Sequence, residues 1–493
     1  MKTLYTYAKM RSFAPKFTNK SSTLSVFGFI GLSSRDLSYF TRSSNKFVNV
    51  SPRVITEVKD LYRIHNEQKR LDEYQLDNSQ LTQILEALST SSFHFLPMYR
   101  LFVPKPFKPG ELRPITIPHP RDLIIMDAIS NVLTRLFHPI FLECSHGFRK
   151  GRGTRTCFFT ILSWPNIDHF ITADVVGCFD NIHHDLLLTI LSSFINDSRF
   201  INLISAFIKT DILDKTEKNY AGDLKGIPQG SSLSPVLMSI YMHQFDVELS
   251  HFISRYPDIH YVRYADDLLI GVSGTEPGAN NSVVDQLNTF ISHLQLELKI
   301  SLKKNGESFL FLGILIKANS GGTITLIAPL TRIDRKIQRM PLKDKPYAHP
   351  LVLGDHKFEE PIRSIISMYN HKIITYLALY CPCSNALQLK KLLKKRMRDM
   401  CITHLAQFTK TSKGTIKGKY GSQLERSPIP FLSHRKIDEI FKKQRLKYES
   451  QKTYLLEVLD SDKTRVPFPS VIRLQLIVYL LAFALLSWLG TWV

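Results

Sequence analysis

Apolar residues along the middle of the chain follow two rhythms. Short β-branched or aromatic runs at 170–175, 260–264, 267–272 and 309–316 predict strands. Residues 121–137, 183–195, 198–209, 232–249 and 284–297 carry the spacing of helices. Upstream, Val54, Leu61 and Ile64, then Leu81, Ile84 and Leu85, predict helix over 54–90. Downstream, Ile362, Ile365, Ile366 and Met368, then Leu387, Leu389, Leu392 and Leu393, predict helices over 360–408. The proline-bounded stretch 341–350 reads as a linker. Strands interleaved with helices, then helices alone, predict an α+β body followed by an α-helical one. No internal repeat is present.

Composition narrows the class. The chain has 493 residues, 44% hydrophobic and 22% charged, which excludes a disordered polymer. That length allows roughly three to four domains. The formal net charge of +21 points to a polyanionic partner, nucleic acid or an anionic membrane surface. The charge is uneven: +7 over 1–50, −2 over 51–92, −1 over 93–330, +13 over 331–420 and +4 over 421–493. A near-neutral body beside a basic block suits an enzyme that grips a phosphate backbone. The competing reading of runs such as Lys390, Lys391, Lys394, Lys395, Arg396 and Arg398 is a solvated helix face. The six cysteines form no C-x-x-C pair, so no zinc ribbon or paired-cysteine nuclease is expected. They read as free thiols in a reducing compartment.

The two ends are unlike the rest. Residues 1–50 are Ser-rich with one acid, Asp36. They read as an organellar transit segment, a disordered basic arm, or the remainder of an upstream reading frame. Residues 474–493 carry no charge and are long enough to span a bilayer, with Arg473 flanking and Trp488 and Trp492 near an interface. A buried C-terminal helix, or a tail left by truncation, is the alternative.

The carboxylates carry the chemistry. Tyr264-Ala265-Asp266-Asp267 lies between two apolar strand-type runs, which places adjacent acids at a hairpin turn. Like charges there repel unless a divalent cation offsets them. Asp174 closes the strand expected over 170–175. Three acids gathered at one sheet edge suit two-metal phosphoryl transfer. An ordinary acidic turn is the bland alternative.

These residues resemble the catalytic palm motifs of reverse transcriptases, in particular the reverse transcriptase/maturases encoded within group II introns. Further blocks occur in that family's order. Phe95 to Arg100 with Val103-Pro104-Lys105, and Arg113 to Pro118 with Pro120-Arg121-Asp122, are similar to its fingers. Ser145-His146-Gly147-Phe148-Arg149 with Gly151 and Arg152 is similar to the segment before the palm. Gly226-Ile227-Pro228-Gln229-Gly230 and Phe311-Leu312-Gly313 are similar to later palm blocks. The likeness is strong over 93–316. Met368, Tyr369, Asn370, Tyr376, Cys401, Leu405 and Ala406 resemble the maturase domain more loosely.

The resemblance implies an α+β right-hand polymerase: fingers and palm with an antiparallel sheet, then an α-helical thumb and maturase domain. It divides the chain into the arm at 1–50, a helical extension at 51–92, fingers and palm at 93–330, thumb and intron-binding domain at 331–425, a basic extension at 426–473 and the tail at 474–493. It implies that Asp174, Asp266 and Asp267 hold two Mg²⁺ ions, with Mn²⁺ as substitute. Phe179 would exclude a ribose 2′-hydroxyl, or else be a core residue. Gln229, Arg113 and Arg121 would meet the incoming nucleotide, although Arg121 has Asp122 beside it. Lys303 or Lys304 would serve pyrophosphate. His183 and His184 read as helix-start residues and Cys178 as packing. Lys394, Lys395, Arg396, Arg398, Lys410, Lys413, Lys417 and Lys419 would bind RNA. Expected partners are group II intron RNA, an RNA template with a DNA primer, dNTPs, and a membrane through the tail. Val176, Lys150 and Ser231-Ser232 depart from the family's usual residues without removing an acid.

The expected function is a maturase that promotes splicing and an RNA-directed DNA polymerase, without the family's nuclease. The alternative is a splicing-only maturase that keeps the polymerase fold as scaffold. A retron or telomerase-like polymerase fits less well with the basic block. The expected location is the mitochondrion, the alternatives being another organelle or a bacterial cytoplasm.

Overall fold

The computed structural model describes residues 40–41, 46–67, 74, 76–104, 110–213, 224–274, 279–343 and 359–461. The expected arm up to residue 39, Lys105, most of the 341–350 linker and the 474–493 tail lie outside the described residues. Among the described residues no helix is long and apolar enough to cross a membrane.

The short strands β1 (Phe40–Thr41) and β2 (Lys46–Phe47) precede helices α1 (Val50–Glu67) and α2 (Asn78–Thr90). The helix expected over 54–90 is therefore two. Asp77 starts the second: its carboxylate accepts from the Gln80 amide while the Gln80 side chain accepts from the Asp77 amide, a reciprocal cap. Strands β3 (Met98–Pro104) and β4 (Leu112–Ile117) pair antiparallel and lead into α3 (Pro120–Phe137). Neither strand was legible, because prolines at 97, 104 and 114 break the alternation. Val50, Val54 and Val58 of α1 are fully buried in the core that α3 also enters, and Glu57 binds Asn131 and Arg135. The extension at 51–92 thus joins the main body.

Helix α4 (Thr154–Leu162) is followed by β5 (His169–Val175), α5 (His184–Phe194), α6 (Ser198–Ile208) and β6 (Ile212–Leu213), which joins β3 in parallel. Helix α7 (Ser234–Ile253), strands β7 (Ile259–Tyr264) and β8 (Asp267–Val272), helix α8 (Ala279–His293) and strand β9 (Leu298–Lys303) complete this half. Four antiparallel strands form one sheet in the order β7-β8-β5-β9. The helix expected at 284–297 stops four residues early. Gln295 takes a left-handed φ of 53°, and the chain re-enters the sheet.

Alternation gives this sheet two faces. Ile171, Ala173, Tyr261, Leu268 and Ile270 belong to one hydrophobic core, together with α3 and α7. Phe170, Val262 and Leu269 belong to a second core shared with the helices that follow. The run 309–316 is not one strand but a hairpin, β10 (Ser308–Phe311) and β11 (Ile314–Ala318), joined by β12 (Ile324–Ile327). Leu312 and Gly313 turn the chain at φ of 45° and 83°. A leucine in that region carries no sequence signal of a turn.

Helices α9 (Leu330–Lys343), α10 (Glu359–Tyr380), α11 (Ala386–Phe408), α12 (Lys413–Tyr420) and α13 (His434–Ser461) form the second body. Helix α9 runs into the stretch read as a linker, and the helical span expected over 360–408 breaks at Cys381-Pro382-Cys383. Helix α13 does not stand apart as an extension. Ile437 and Phe441 enter the second core, and Arg155 of α4 reaches Gln444 and Gln451 on α13 and the Ala378 carbonyl on α10. Leu393 lies fully buried at the centre of this bundle. Leu393→Ala should cost about 2–5 kcal/mol, read as a lower melting temperature with the same secondary structure before melting. All six cysteines are free thiols.

Candidate active site

Strands β7 and β8 are joined by two residues. Tyr264 pairs with Asp267, so Ala265 and Asp266 form the turn, with Ala265 at φ of 58°. On the other side of β8, Asp267 lies directly opposite Asp174 of β5, and Asp174 lies opposite Lys299 of β9. One row across the sheet therefore reads Tyr264, Asp267, Asp174, Lys299. Directly opposed residues share a face, with Cβ atoms about 5 Å apart. Here it is the face of the second core, not the one packed on α3 and α7. Lys299 escaped the sequence reading because β9 was not seen as a strand. Lys303, one of the two lysines read for pyrophosphate, pairs with Phe170, four positions along the ladder from Asp174.

The acids disturb one another. Burial pushes the Asp267 carboxyl up to about 7, and the negative charges of Asp266 and Asp174 add to the shift. Burial also raises Asp266, while its own backbone amide, Arg113 and Arg263 draw it back down. Such crowding is what a divalent cation relieves, and carboxylate oxygens are the hard donors that Mg²⁺ prefers. Among the described residues no three His, Cys, Asp or Glu are gathered into a ready metal cage. Mg²⁺ at sites of phosphoryl transfer is typically held by one or two carboxylates and completed by substrate phosphates and water, rather than by protein alone. The donor set fits the ions that the sequence implies.

The Pro-Gln-Gly loop links the turn after β5 to strand β4. The Gln229 side-chain amide donates to both Asp180 oxygens at 3.3 Å, and its backbone carbonyl accepts from the Thr116 amide of β4. Gly230 follows at φ of 129°, and a Cβ there would lie 2.3 Å from the Thr116 carbonyl oxygen. Only glycine lets these two backbones meet. Phe179 lies in the 3₁₀ turn Cys178–Asp180 after β5, half-buried against the first core, with its carbonyl accepting from the Ile227 amide at 2.8 Å. His184 is buried and its Nε2 lies 2.7 Å from the Gly226 carbonyl, a structural bond at the start of a helix. Cys178 is buried, as packing requires.

The two arginines read as nucleotide contacts part company. Arg113 is exposed on β4, near enough to Asp266 to stabilise its charge. Arg121 is otherwise committed: Nε donates to the buried Asp122 at 2.7 Å, Nη2 donates to the His94 carbonyl, and the guanidinium lies over Phe93. Asp122 also accepts from the Leu96 amide, so Arg121 and Asp122 together fasten the start of α3 to the segment before β3.

The basic residues divide in the same way. On α11, Lys394 and Lys390 both pair with Asp438 of α13, Arg396 pairs with Asp334 of α9, and Arg398 lies over Phe431. Three of the four residues in the Lys394 to Arg398 group are thus drawn into contacts between elements, and Lys395 is the exposed one of the four. Residues i and i+4 share a face with the neighbouring helix, a contact the charge run does not disclose. Lys410, Lys413, Lys417 and Lys419, by contrast, are all exposed on and just before α12.

Part of the chain is similar to known proteins. Residues 103–316 match the family described as "Reverse transcriptase (RNA-dependent DNA polymerase)". A protein of Schizosaccharomyces pombe, described as "Uncharacterized 91 kDa protein in cob intron", is 29% identical over 52% of this chain and 40% of its own length. The "Putative COX1/OXI3 intron 1 protein" of Saccharomyces cerevisiae is 28% identical over 44% of this chain and 32% of its own. The "Group II intron-encoded protein LtrA" of Lactococcus lactis is 27% identical over 50% of this chain and 51% of its own. The chain thus spans between about a third and half the length of these relatives. By these matches residues 103–316 are similar to reverse transcriptases, and the chain is similar to proteins encoded within introns, among them a group II intron-encoded protein.

Proposed function

We propose that the chain copies RNA into DNA and also holds group II intron RNA for splicing. The observation that carries the first half is the row of Asp267 and Asp174 with Asp266 in the adjoining turn, faced by Arg113 of the fingers. Asp174, Asp266 and Asp267 would hold two Mg²⁺ ions, or Mn²⁺ in their place. When bound, the ions supply charge neutralisation at the triphosphate and a lowered pKa for the primer hydroxyl. The protein's own groups do the rest. Arg113 offers charge-assisted bonds to triphosphate oxygens. Gln229, tied to Asp180 and Thr116, presents a fixed edge between palm and fingers to the incoming nucleotide. Primer, RNA template and dNTPs are the substrates of this reading, and deoxynucleotide addition on a primed RNA template tests it.

Phe179 would exclude the 2′-hydroxyl. Its turn is pinned to Ile227 of the Pro-Gln-Gly loop, so the ring has little room to retreat. Phe179→Val should raise ribonucleotide incorporation relative to deoxynucleotide by on the order of 10²-fold, the scale of discrimination a tight apolar pocket reaches. An unchanged ratio in single-nucleotide addition assays would leave Phe179 as a core residue.

The intron-binding half rests on the exposed Lys410, Lys413, Lys417 and Lys419, which present four cations to phosphates. Fingers and palm at 93–330 and thumb with maturase at 331–425 are the division this reading uses, with α13 closing the thumb. The basic, Ser-rich stretch 1–50 supports a mitochondrial location, and fractionation checks it.

A further inference from the structure

The segment Ser145 to Arg149 has no part in the proposed nucleotide chemistry, yet it touches the catalytic turn. A short parallel bridge joins it to β7: the His146 amide donates to the Arg263 carbonyl at 2.9 Å and the Arg263 amide donates to the Cys144 carbonyl at 2.8 Å. Gly147 then lies against the turn itself. A Cβ at Gly147 would stand 2.4 Å from the Ala265 nitrogen and 3.2 Å from the Tyr264 carbonyl carbon. Arg149 holds the segment's shape by donating to the carbonyls of Leu142, Ser145 and His138.

Beneath the turn lies Arg263, 1% exposed. Nε donates to Asp246 Oδ1 at 2.7 Å, and Nη2 donates to Asp246 Oδ2 and to Ser145 Oγ. Nη1 donates to the Ala265 carbonyl at 3.0 Å. Asp246, fully buried on α7, also accepts from the Tyr261 hydroxyl at 2.8 Å. One guanidinium therefore joins helix α7, the 145–149 segment and the turn that ends in Asp266.

A buried ion pair contributes little to net stability compared with apolar packing of similar volume, so stability alone is a poor account of this network. Position is a better one. Ala265 adopts a left-handed φ that a non-glycine residue holds only when its surroundings impose it. The surroundings here are the Arg263 bond to its carbonyl on one side and the Gly147 backbone against its nitrogen on the other. We propose that Arg263, seated on Asp246 and Ser145, acts with Gly147 as the positioning element that holds the Ala265–Asp266 turn, and so the site's carboxylates, in working geometry. The inference rests on those carboxylates being the catalytic ones.

Two variants of the full chain test it. Ser145→Ala removes one bond to Arg263, and Gly147→Ala places a methyl against the turn. Both should lower kcat for deoxynucleotide addition, Gly147→Ala by roughly 10²-fold and Ser145→Ala by roughly 10-fold, since misplacing catalytic groups by about 1 Å costs on that order. KM for the nucleotide and affinity for the primed template should hold within about twofold, because neither depends on this turn. Half-activation should require more Mg²⁺. Without metal or nucleotide, hydrogen exchange at the amides of Ala265, Asp266 and Asp267 should quicken in both variants, a local loosening that a general loss of stability does not produce. Variants that melt earlier but keep wild-type kcat, Mg²⁺ response and turn exchange would overturn the proposal. Asp266→Ala separates the two levels. If it polymerises like wild type, the carboxylate reading fails. If it is inactive while Gly147→Ala and Ser145→Ala behave as wild type, the positioning proposal alone fails.

Discussion

Asp266→Ala should abolish deoxynucleotide addition on a primed RNA template, a fall of roughly 10³-fold or more in kcat. Charge stabilisation by a bound divalent ion contributes several kcal/mol, and each 1.4 kcal/mol is tenfold in rate. The fold should survive. Asp266 sits in a two-residue turn, its burial raises the cost of its charge, and Asp267 next to it is disfavoured by the same charge. Removing one of three crowded carboxylates therefore relieves repulsion instead of breaking a pair. A melting temperature equal to or above wild type, unchanged retention of RNA and no polymerase activity is the expected combination. Activity within tenfold of wild type would remove Asp266 from the chemistry.

The second large effect concerns salt. Changing Lys410, Lys413, Lys417 and Lys419 together to Gln removes four exposed cations from one short helix and its approach. Each phosphate left without its cation reduces the log–log salt slope by about 0.7 to 0.9, so the slope should flatten by about 3. Between 50 and 200 mM salt the wild type should then lose roughly 50-fold more affinity for intron RNA than the variant. Filter binding over a salt series reads this directly. Neutralising Lys394, Lys395, Arg396 and Arg398 should behave differently. Lys394 holds Asp438, Arg396 holds Asp334 and Arg398 covers Phe431, so that variant should melt earlier, with a smaller change in slope. Equal slopes in the two variants would mean that α12 is not a phosphate-binding face.

The positions of the three acids were legible because their signal is local. Two apolar runs flanking Tyr264 to Asp267 force a hairpin, and a hairpin forces the adjacent acids to its end. Asp174 was legible for the same reason, as the last polar position of an apolar strand. Register was not. That Asp174 faces Asp267 on one side and Lys299 on the other depends on pairing between segments far apart in sequence, which no local pattern encodes. The hairpin at Leu312 was hidden because a leucine in a left-handed conformation leaves no turn signature. Arg121 and the α11 cations show the converse limit. Charge is visible in a sequence, but whether it meets a phosphate or a partner such as Asp122 or Asp438 is set by packing.

One pairing bears on the order in which the molecule assembles. Arg155 binds Gln451 across 296 positions of sequence, and Phe159 stacks on Tyr448 with ring centroids 5.0 Å apart. At about 5–20 residues per second, synthesis leaves α4 waiting some 15–60 s for α13 to emerge. During that interval the ring of Phe159, buried in the finished chain, has no cover from Tyr448. The four-stranded sheet can form meanwhile, since its strands all lie between 169 and 303. A nascent chain paused between those two events would carry a formed sheet and an open apolar seam, the state on which a chaperone would act.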